Sequence, residues 1–144
     1  MNHINNIICI KDYNLNNYLK NTNKLIDYTK EDLELLLENN SIIYTYYNKT
    51  EIIMTVLIEP RNNKDKYIIL EPMLISNKYI NNDIILTIIN DLNNKIKSLN
   101  YKYIEVKIHP DNLNLIEKFI RNNFILKDTI ESNLGLRNIY IKTI

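Results

Sequence analysis

The chain has 144 residues and carries 18 lysines and arginines against 17 aspartates and glutamates, which gives a formal net charge of +1 at pH 7. A chain of this length most simply forms one domain, here residues 1–144, with a sizeable core. A charge so close to zero provides no electrostatic reason to bind nucleic acid or an anionic membrane surface. We therefore expect neither of these partners.

The cysteine and histidine content argues against a disulfide-bonded or metal-binding protein. Cys9 is the only cysteine, so an internal disulfide is impossible, and its apolar surroundings are typical of a small buried strand residue. Cys9, His3 and His109 lack the spacing of metal ligands, so we expect no metal. No apolar run approaches the ~20 residues that a membrane-spanning helix needs, and no signal-peptide pattern opens the sequence. We expect a cytoplasmic protein.

Apolar periodicity and turn residues predict the elements of the first half. A strand over residues 4–10 precedes a helix over residues 15–26, and Thr29 then caps a second helix, with Asp32 three residues later. Three strands follow, over residues 41–47, 51–59 and 67–75. Short turns join them, which predicts an antiparallel meander.

The long helix that comes next is the clearest element of the sequence. Its apolar stripe has the helical period and consists of Ile80, Ile84, Ile85, Ile88, Ile89, Leu92, Ile96 and Leu99. A strand over residues 101–108 follows, and a strand–helix–strand crossover favours parallel pairing. A helix over residues 113–122 and strands over residues 124–130 and 138–144 complete the chain, with Gly135 at the final bend.

The segment 112–124 carries the most specific pattern. It starts at a strand exit and its marked residues are Asn112, Leu115, Ile116, Phe119, Arg121, Asn123 and Phe124. This spacing resembles a helix motif of the GNAT (Gcn5-related N-acetyltransferase) superfamily, and the order of the elements resembles that fold over essentially the whole chain. The resemblance implies a single GNAT-like α/β (α+β) domain with a mixed, mostly antiparallel twisted sheet flanked by helices. Phe119 replaces the family's tyrosine and Asn123 its glycine.

The resemblance implies acetyl-CoA as a co-substrate. In the family, backbone groups at the end of the strand before the long helix bond the pantetheine arm and the thioester, and a glycine-containing loop holds the pyrophosphate at the helix N-terminus. The implied contacts here are the backbones of Met73, Leu74 and Ile75, the loop amides of Ile80, Asn81, Asn82, Asp83, Ile84 and Ile85, and Asn112 and Phe119 beside the cofactor arm.

The same loop is also compatible with a plain helix cap. Aligning Glu71 with the family's strand glutamate places Ile80, Asp83 and Ile85 where the family has a cation or amide and two small residues. Asp83 puts a negative charge where phosphates would dock, and it is favourable at the start of its own helix. Asn81 or Asn82 would cap the free amides. Both interpretations remain open.

Two residues are candidates for proton transfer, because acetyl transfer to an amine needs a base for the ammonium and an acid for the thiolate. Glu71 lies on a central strand beside the expected cleft, and the alternative is a solvated or ion-paired strand residue. His109 lies at a strand exit and titrates in a useful range, and the alternative is a surface histidine. Phe119 has no hydroxyl, which leaves Tyr79 and Tyr103 as other hydroxyl sources.

Three functions follow from these patterns. The resemblance implies transfer of an acetyl group to a small-molecule or protein amine. The loop without glycine and the helix without a tyrosine hydroxyl favour an alternative, a catalytically inactive GNAT-fold protein that acts as a binding or regulatory module. A homodimer that associates through its sheet edge is the third, and it explains the apolar tail at residues 139–144. The tyrosines Tyr44, Tyr46 and Tyr47 either line a substrate groove or cover a sheet face.

Overall fold

The computed structural model describes residues 7–11, 23–24, 29–62, 65–132 and 135–144. The strands of this part of the chain are β1 Ile7–Lys11, β2 Asn23–Lys24, β3 Ile42–Asn48, β4 Glu51–Arg61, β5 Tyr67–Ile75, β6 Tyr103–Ile108, β7 Ile125–Ser132 and β8 Gly135–Thr143. Its helices are α1 Lys30–Glu38, α2 Ile84–Lys97 and α3 Leu113–Arg121. Within these described ranges, no helix is long and apolar enough to span a bilayer.

The strands form one sheet in the order β1-β3-β4-β5-β6-β8-β7, and β2 pairs with β5 outside this path. The meander of β3, β4 and β5 is antiparallel, as predicted. The crossover through α2 makes β5 and β6 parallel, again as predicted. The sheet is therefore mixed and mostly antiparallel, with helices against it, which confirms the predicted fold class.

Strand alternation gives the sheet two buried faces with different coverings. One face, called the α2/α3 face, forms the main core, in which Leu70 and Val106 lie with Leu92 of α2 and Phe119 of α3. The other face, called the α1 face, holds a smaller cluster of Leu33, Ile43, Leu57, Met73 and Leu74. Successive residues of one strand therefore point into different cores, one on each face of the sheet.

Asparagine replaces glycine at the helix ends. Asn40, Asn100 and Asn123, each just after a helix, have φ values of 70°, 64° and 70°, a left-handed conformation that asparagine tolerates better than most residues. At the end of α3 the amide of Asn123 donates to the Ile120 carbonyl at 2.9 Å, and that of Phe124 to the Phe119 carbonyl at 3.1 Å. This pair of bonds is a Schellman motif, in which asparagine takes the left-handed position that glycine most often occupies.

Local signals predicted most of the helix boundaries. Thr29 and Asp32 form the predicted capping box, in which the Asp32 amide donates to Thr29 Oγ1 at 3.1 Å and the Thr29 amide to Asp32 Oδ2 at 3.2 Å. The long helix was predicted four residues too early, because residues 80–83 form turns and α2 begins at Ile84.

Two boundaries near loops also differ from the prediction. The predicted helix over residues 15–26 is wrong at its end, where Asn23–Lys24 form a strand, and most of it lies outside the described residues. The polar loop predicted from Pro60 begins later, because Pro60 and Arg61 still pair with β5.

Candidate functional site

The two central strands separate halfway along β5. Tyr67 to Leu70 pair in parallel with Tyr103 to Val106, whereas no residue of β5 beyond Leu70 pairs with β6 within the described ranges. The other edge of β5 stays paired with β4. A gap therefore opens at the carboxyl ends of two parallel strands, where α/β sheets commonly bind ligands. We call this gap the mouth.

A short strand narrows the mouth. Lys24 and Asn23 of β2 pair with Leu74 and Ile75, and because β4 occupies the opposite edge, β2 lies on the edge that β6 has left. The predicted backbone donors Leu74 and Ile75 therefore already belong to a strand ladder. The stretch of β5 between Leu70 and Leu74 contains Met73, the third predicted donor, which is fully buried.

Glu71, the predicted base, lies at the mouth and on the α1 face. It is the first residue of β5 beyond the paired region, and its partner across β4 is Leu57. Glu59, two residues from Leu57 on the same face, is buried like Glu71, each with only 5% of its surface exposed. Burial first, and then the charge of Glu71, raise the pKa of Glu59 above its ordinary value.

Two cations oppose this effect, since Arg61 and Lys107 both lower the pKa of Glu59. Arg61 Nη2 lies 3.6 Å from Glu59 Oε2. A third buried carboxylate, Glu105, lies beside Lys127 at 3.9 Å. The α1 face thus carries buried carboxylates that lie among partly exposed cations.

Sequence reasoning missed Glu59 and Lys107. Glu59 was placed at the end of a strand with no role, although its spacing from Leu57 puts it on the same face as any residue that pairs with Leu57. The register between β4 and β5 was the missing information, because that register alone brings Glu59 and Glu71 together.

His109, the second proton-transfer candidate, follows the end of β6, and its side chain is 46% exposed. The Asp111 amide donates to His109 Nδ1 at 3.1 Å. Because Nδ1 accepts this bond, the neutral ring carries its proton on Nε2. Asn112 begins α3, and among the described residues its side chain makes no capping hydrogen bond to that helix.

The start of α2 satisfies its own amides. Asn82 Oδ1 accepts from the Ile84 amide at 3.0 Å, and the Asn82 carbonyl accepts from the Ile85 amide at 3.2 Å. Asn82 thus fulfils the predicted capping role, although Asp83 occupies the formal N-cap position. The Ile80 amide also has a partner, the Ser76 carbonyl at 3.1 Å.

Asp83 is close to a cation that the sequence pattern did not connect to it. Arg121 Nη1 of α3 lies 3.6 Å from Asp83 Oδ1 and 3.3 Å from Glu117 Oε1. Asp83 and Arg121 are both well exposed, so solvent weakens this pair. The negative charge at the start of α2 is nonetheless partly balanced by a positive one from the neighbouring helix.

Superposition on solved protein structures identifies the fold, whereas sequence comparison does not. No protein-family model matches the sequence, and no curated protein matches it. An N-acetyltransferase from Staphylococcus aureus superposes with a TM-score of 0.72 at 14% identity, over 95% of this chain and 96% of that one. A GNAT-family acetyltransferase from Elizabethkingia anophelis with acetyl-CoA bound gives 0.71 at 15% identity, over 96% and 99%. A Bacillus subtilis acetyltransferase in complex with CoA gives 0.71 at 13% identity, over 96% and 97%.

The chain has the GNAT fold. The predicted resemblance is confirmed at the level of architecture, and the two departures from the GNAT helix motif now have structural explanations. Phe119 is fully buried in the main core, with its ring against Phe124. Its predicted place beside the cofactor arm stays a prediction, as do the roles of the other predicted site residues.

The alternative hydroxyl sources differ in position relative to the mouth of this GNAT fold. The Tyr79 hydroxyl lies in the loop before α2, donates to Glu51 Oε1 at 2.7 Å and accepts from Asn48 Nδ2 at 3.2 Å. Tyr103 stacks on Tyr67 at 4.8 Å, at the paired end of β5 and β6, so it lies away from the mouth. Tyr79 therefore ties the loop to the β3–β4 turn, and Tyr103 is not a candidate acid.

The tyrosine cluster on β3 packs against α2. Tyr46 is buried, and its hydroxyl donates to Asp91 Oδ2 at 2.6 Å. Lys95 bonds the same carboxylate oxygen at 2.6 Å and lies 5.9 Å from the Tyr44 ring centroid. Of the two interpretations offered by the sequence, the structure favours a covered sheet face for Tyr44 and Tyr46.

Proposed function

We propose that this chain transfers an acetyl group from acetyl-CoA to an amine. The observation that carries the proposal is the mouth between β5 and β6, with the buried carboxylate of Glu71 at its edge, in a fold shared with proteins solved with acetyl-CoA or CoA bound. Acetyl transfer needs a base and an acid, and the mouth has a candidate for each, Glu71 on β5 and His109 after β6.

The proton of the acceptor goes to Glu71. Glu71 takes one proton from the protonated amine, which frees the nitrogen lone pair. The nitrogen then bonds to the carbonyl carbon of the acetyl thioester as the carbon–sulfur bond breaks, and it gives up its second proton to water. Glu71 and Glu59 repel each other when both are ionised. Of these two carboxylates Glu71 is the one that lies at the mouth, which favours it as the base.

The departing sulfur needs a proton, and His109 supplies it. A neutral imidazole is too weak an acid to protonate a thiolate, so the donor in this proposal is the imidazolium form of His109. It gives up its Nε2 proton and keeps the proton on Nδ1, the nitrogen that accepts from the Asp111 amide when the ring is neutral. The ring lies at the exit of β6, across the mouth from the end of β5. In this proposal His109 replaces the hydroxyl that Phe119 lacks.

The phosphates of acetyl-CoA bind at the start of α2. The amides of Ile84 and Ile85 point toward the helix N-terminus, and they become available when Asn82 releases them. Arg121, within 3.6 Å of Asp83, provides positive charge at this helix start. The cation of the loop itself, Lys78, is paired with Glu51. Asn112 lies at the start of α3, beside the arm of the bound molecule.

The acceptor is a cationic amine in this proposal. The carboxylates of Glu59 and Glu71 are buried on the α1 face beside the mouth. A protonated small-molecule or protein amine that reaches the mouth lies beside these carboxylates when it meets the thioester.

A binding module with the same fold is the second candidate. Asn82 satisfies the amides of Ile84 and Ile85, and β2 pairs with Leu74 and Ile75. In both cases, backbone groups that would contact the cofactor already have hydrogen-bond partners within the protein. This candidate predicts ligand binding without turnover.

An assay of thiol release from acetyl-CoA with a panel of amines tests the proposal. We expect turnover with at least one amine, and a loss of about a hundredfold in kcat for Glu71→Gln with little change in the KM for acetyl-CoA. Glu105→Gln is the matched control, because Glu105 is buried on the same face but lies in the paired region of β6. Binding of acetyl-CoA without turnover of any amine would favour the binding module.

A further inference from the structure

β7 is an edge strand of the sheet in the described part of the chain. It is the last strand in the sheet order, and in the described part of the chain only β8 pairs with it. Ile125 and Leu126 are 69% and 54% exposed. They line a groove of about 630 Å³ together with Ile141. Exposed apolar residues on an unpaired edge strand are a site for pairing with another strand.

A β-bulge gives β7 an unusual arrangement of side chains. Leu126 pairs with Tyr140 and Asp128 pairs with Ile139, so Lys127 is the extra residue. Ile125 pairs with Ile141 and Ile130 with Arg137. Ile141 and Arg137 are four residues apart and share a face, so Ile125 and Ile130 also share a face although five residues separate them.

This arrangement makes β7 complementary to a second copy of itself. In a two-fold antiparallel pair with its axis between positions 127 and 128, Lys127 lies opposite Asp128 of the partner subunit, and the reverse pair forms by symmetry. The same register places Ile125 opposite the partner subunit's Ile130, and the bulge puts both on one face. We propose that two copies of this chain form a dimer by pairing β7 with β7 in this register.

Charge selects this register over its neighbours. A two-fold axis through Lys127 would oppose two lysines, and an axis through Asp128 would oppose two aspartates, and both arrangements are unfavourable. The side chains on the other face of β7 are also compatible with the proposed register. Leu126 and Thr129 pair with Tyr140 and Asn138, which share a face, so Leu126 meets the partner subunit's Thr129 on a common face.

The proposed dimer corrects the sequence-based idea of the interface. The apolar tail at residues 139–144 was expected to explain a dimer, but β8 lies between β6 and β7, and its residues 138–141 are paired on both edges. The edge strand on this side of the sheet is β7. The inference is independent of the proposed enzymatic function, because no residue of β7 belongs to the mouth.

Sedimentation equilibrium of the full chain over a range of concentrations tests the dimer. We expect a reversible dimer for the unmodified chain, and a dissociation constant raised by about tenfold for Asp128→Lys, since both symmetric pairs become repulsive. The double variant Lys127→Asp/Asp128→Lys restores opposite charges at both positions and keeps the net charge, so its dissociation constant returns toward that of the unmodified chain.

Two exposed apolar positions, one in the proposed interface and one outside it, test the apolar contact. Ile125→Lys weakens the dimer, whereas Leu113→Lys, at a residue of α3 that is 71% exposed, leaves it unchanged. A chain that stays monomeric at every concentration overturns the proposal. So does a dimer that is insensitive to Asp128→Lys, or one that the double variant fails to restore.

Discussion

The rings of Phe119 and Phe124 meet edge to face, with centroids 5.1 Å apart and planes at 89°. Their backbones are joined as well, because the Phe124 amide donates to the Phe119 carbonyl. The apolar contact that commonly accompanies a Schellman motif is here an aromatic pair. Phe119 thus fixes the end of α3 and its entry into β7.

Asn123 should tolerate glycine but not alanine. Its φ of 70° places a β-carbon under strain, which asparagine bears better than alanine does. We expect Asn123→Ala to lower the free energy of unfolding by about 1 kcal/mol, and Asn123→Gly to leave it unchanged or raise it. Urea denaturation measures both. Asn94→Ala, at an exposed position inside α2, is the control and should not destabilise the chain.

Glu59 should make stability fall as the pH rises. Its pKa is higher in the folded chain than the ordinary value of 4.5, so the folded chain holds this proton more tightly than the unfolded one. The resulting stability is complete below pH 4.5 and is lost as the pH rises through the folded-state pKa. Glu59→Gln should remove this loss in urea denaturation at a series of pH values. Identical pH profiles for Glu59→Gln and the unmodified chain would contradict the role of burial.

Asp83 and Arg121 should affect acetyl-CoA affinity in opposite directions. Asp83→Asn removes a negative charge from the proposed phosphate site, and we expect the affinity to rise by about two- to fivefold. Arg121→Gln removes the cation and should lower it by a similar factor. Calorimetric titration measures both. Asp65→Asn, at the opposite end of β5, serves as the control, and an equal effect at that position would show that general charge, not the loop, is responsible.

Tyr79 should act on the loop and not on the chemistry. Tyr79→Phe removes the hydroxyl that joins Glu51 and Asn48, and we expect a loss of about 1 kcal/mol in unfolding free energy. The affinity for acetyl-CoA should fall while kcat stays unchanged. Tyr101→Phe, which removes a single exposed bond to Asn62, is the stability control. A large drop in kcat for Tyr79→Phe would instead make this hydroxyl the acid.

Local chemistry was enough to predict much of the fold. The capping box of Thr29 and Asp32 and the apolar stripe of α2 depend on neighbours within a few residues, so the sequence contains the full signal. The asparagines after the helices could also be recognised, because left-handed turns need a residue of this kind. These signals predicted the elements and, through their order, the architecture.

The site depended on pairings between distant segments, and these could not be predicted. Glu59 meets Glu71 only through the register of β4 with β5. Arg121 reaches Asp83 only because α3 packs beside the start of α2. β2 is two residues long, too short for any periodic signal, and it forms because β5 offers it an edge.

Hydrogen exchange of the chain with and without acetyl-CoA tests most directly whether acetyl-CoA binds at the mouth. We expect slower exchange in peptides that cover residues 71–75 and 80–86, and no change over β7 and β8. Exchange that is unchanged everywhere at millimolar acetyl-CoA, or slowed only at segments away from the mouth, would contradict it.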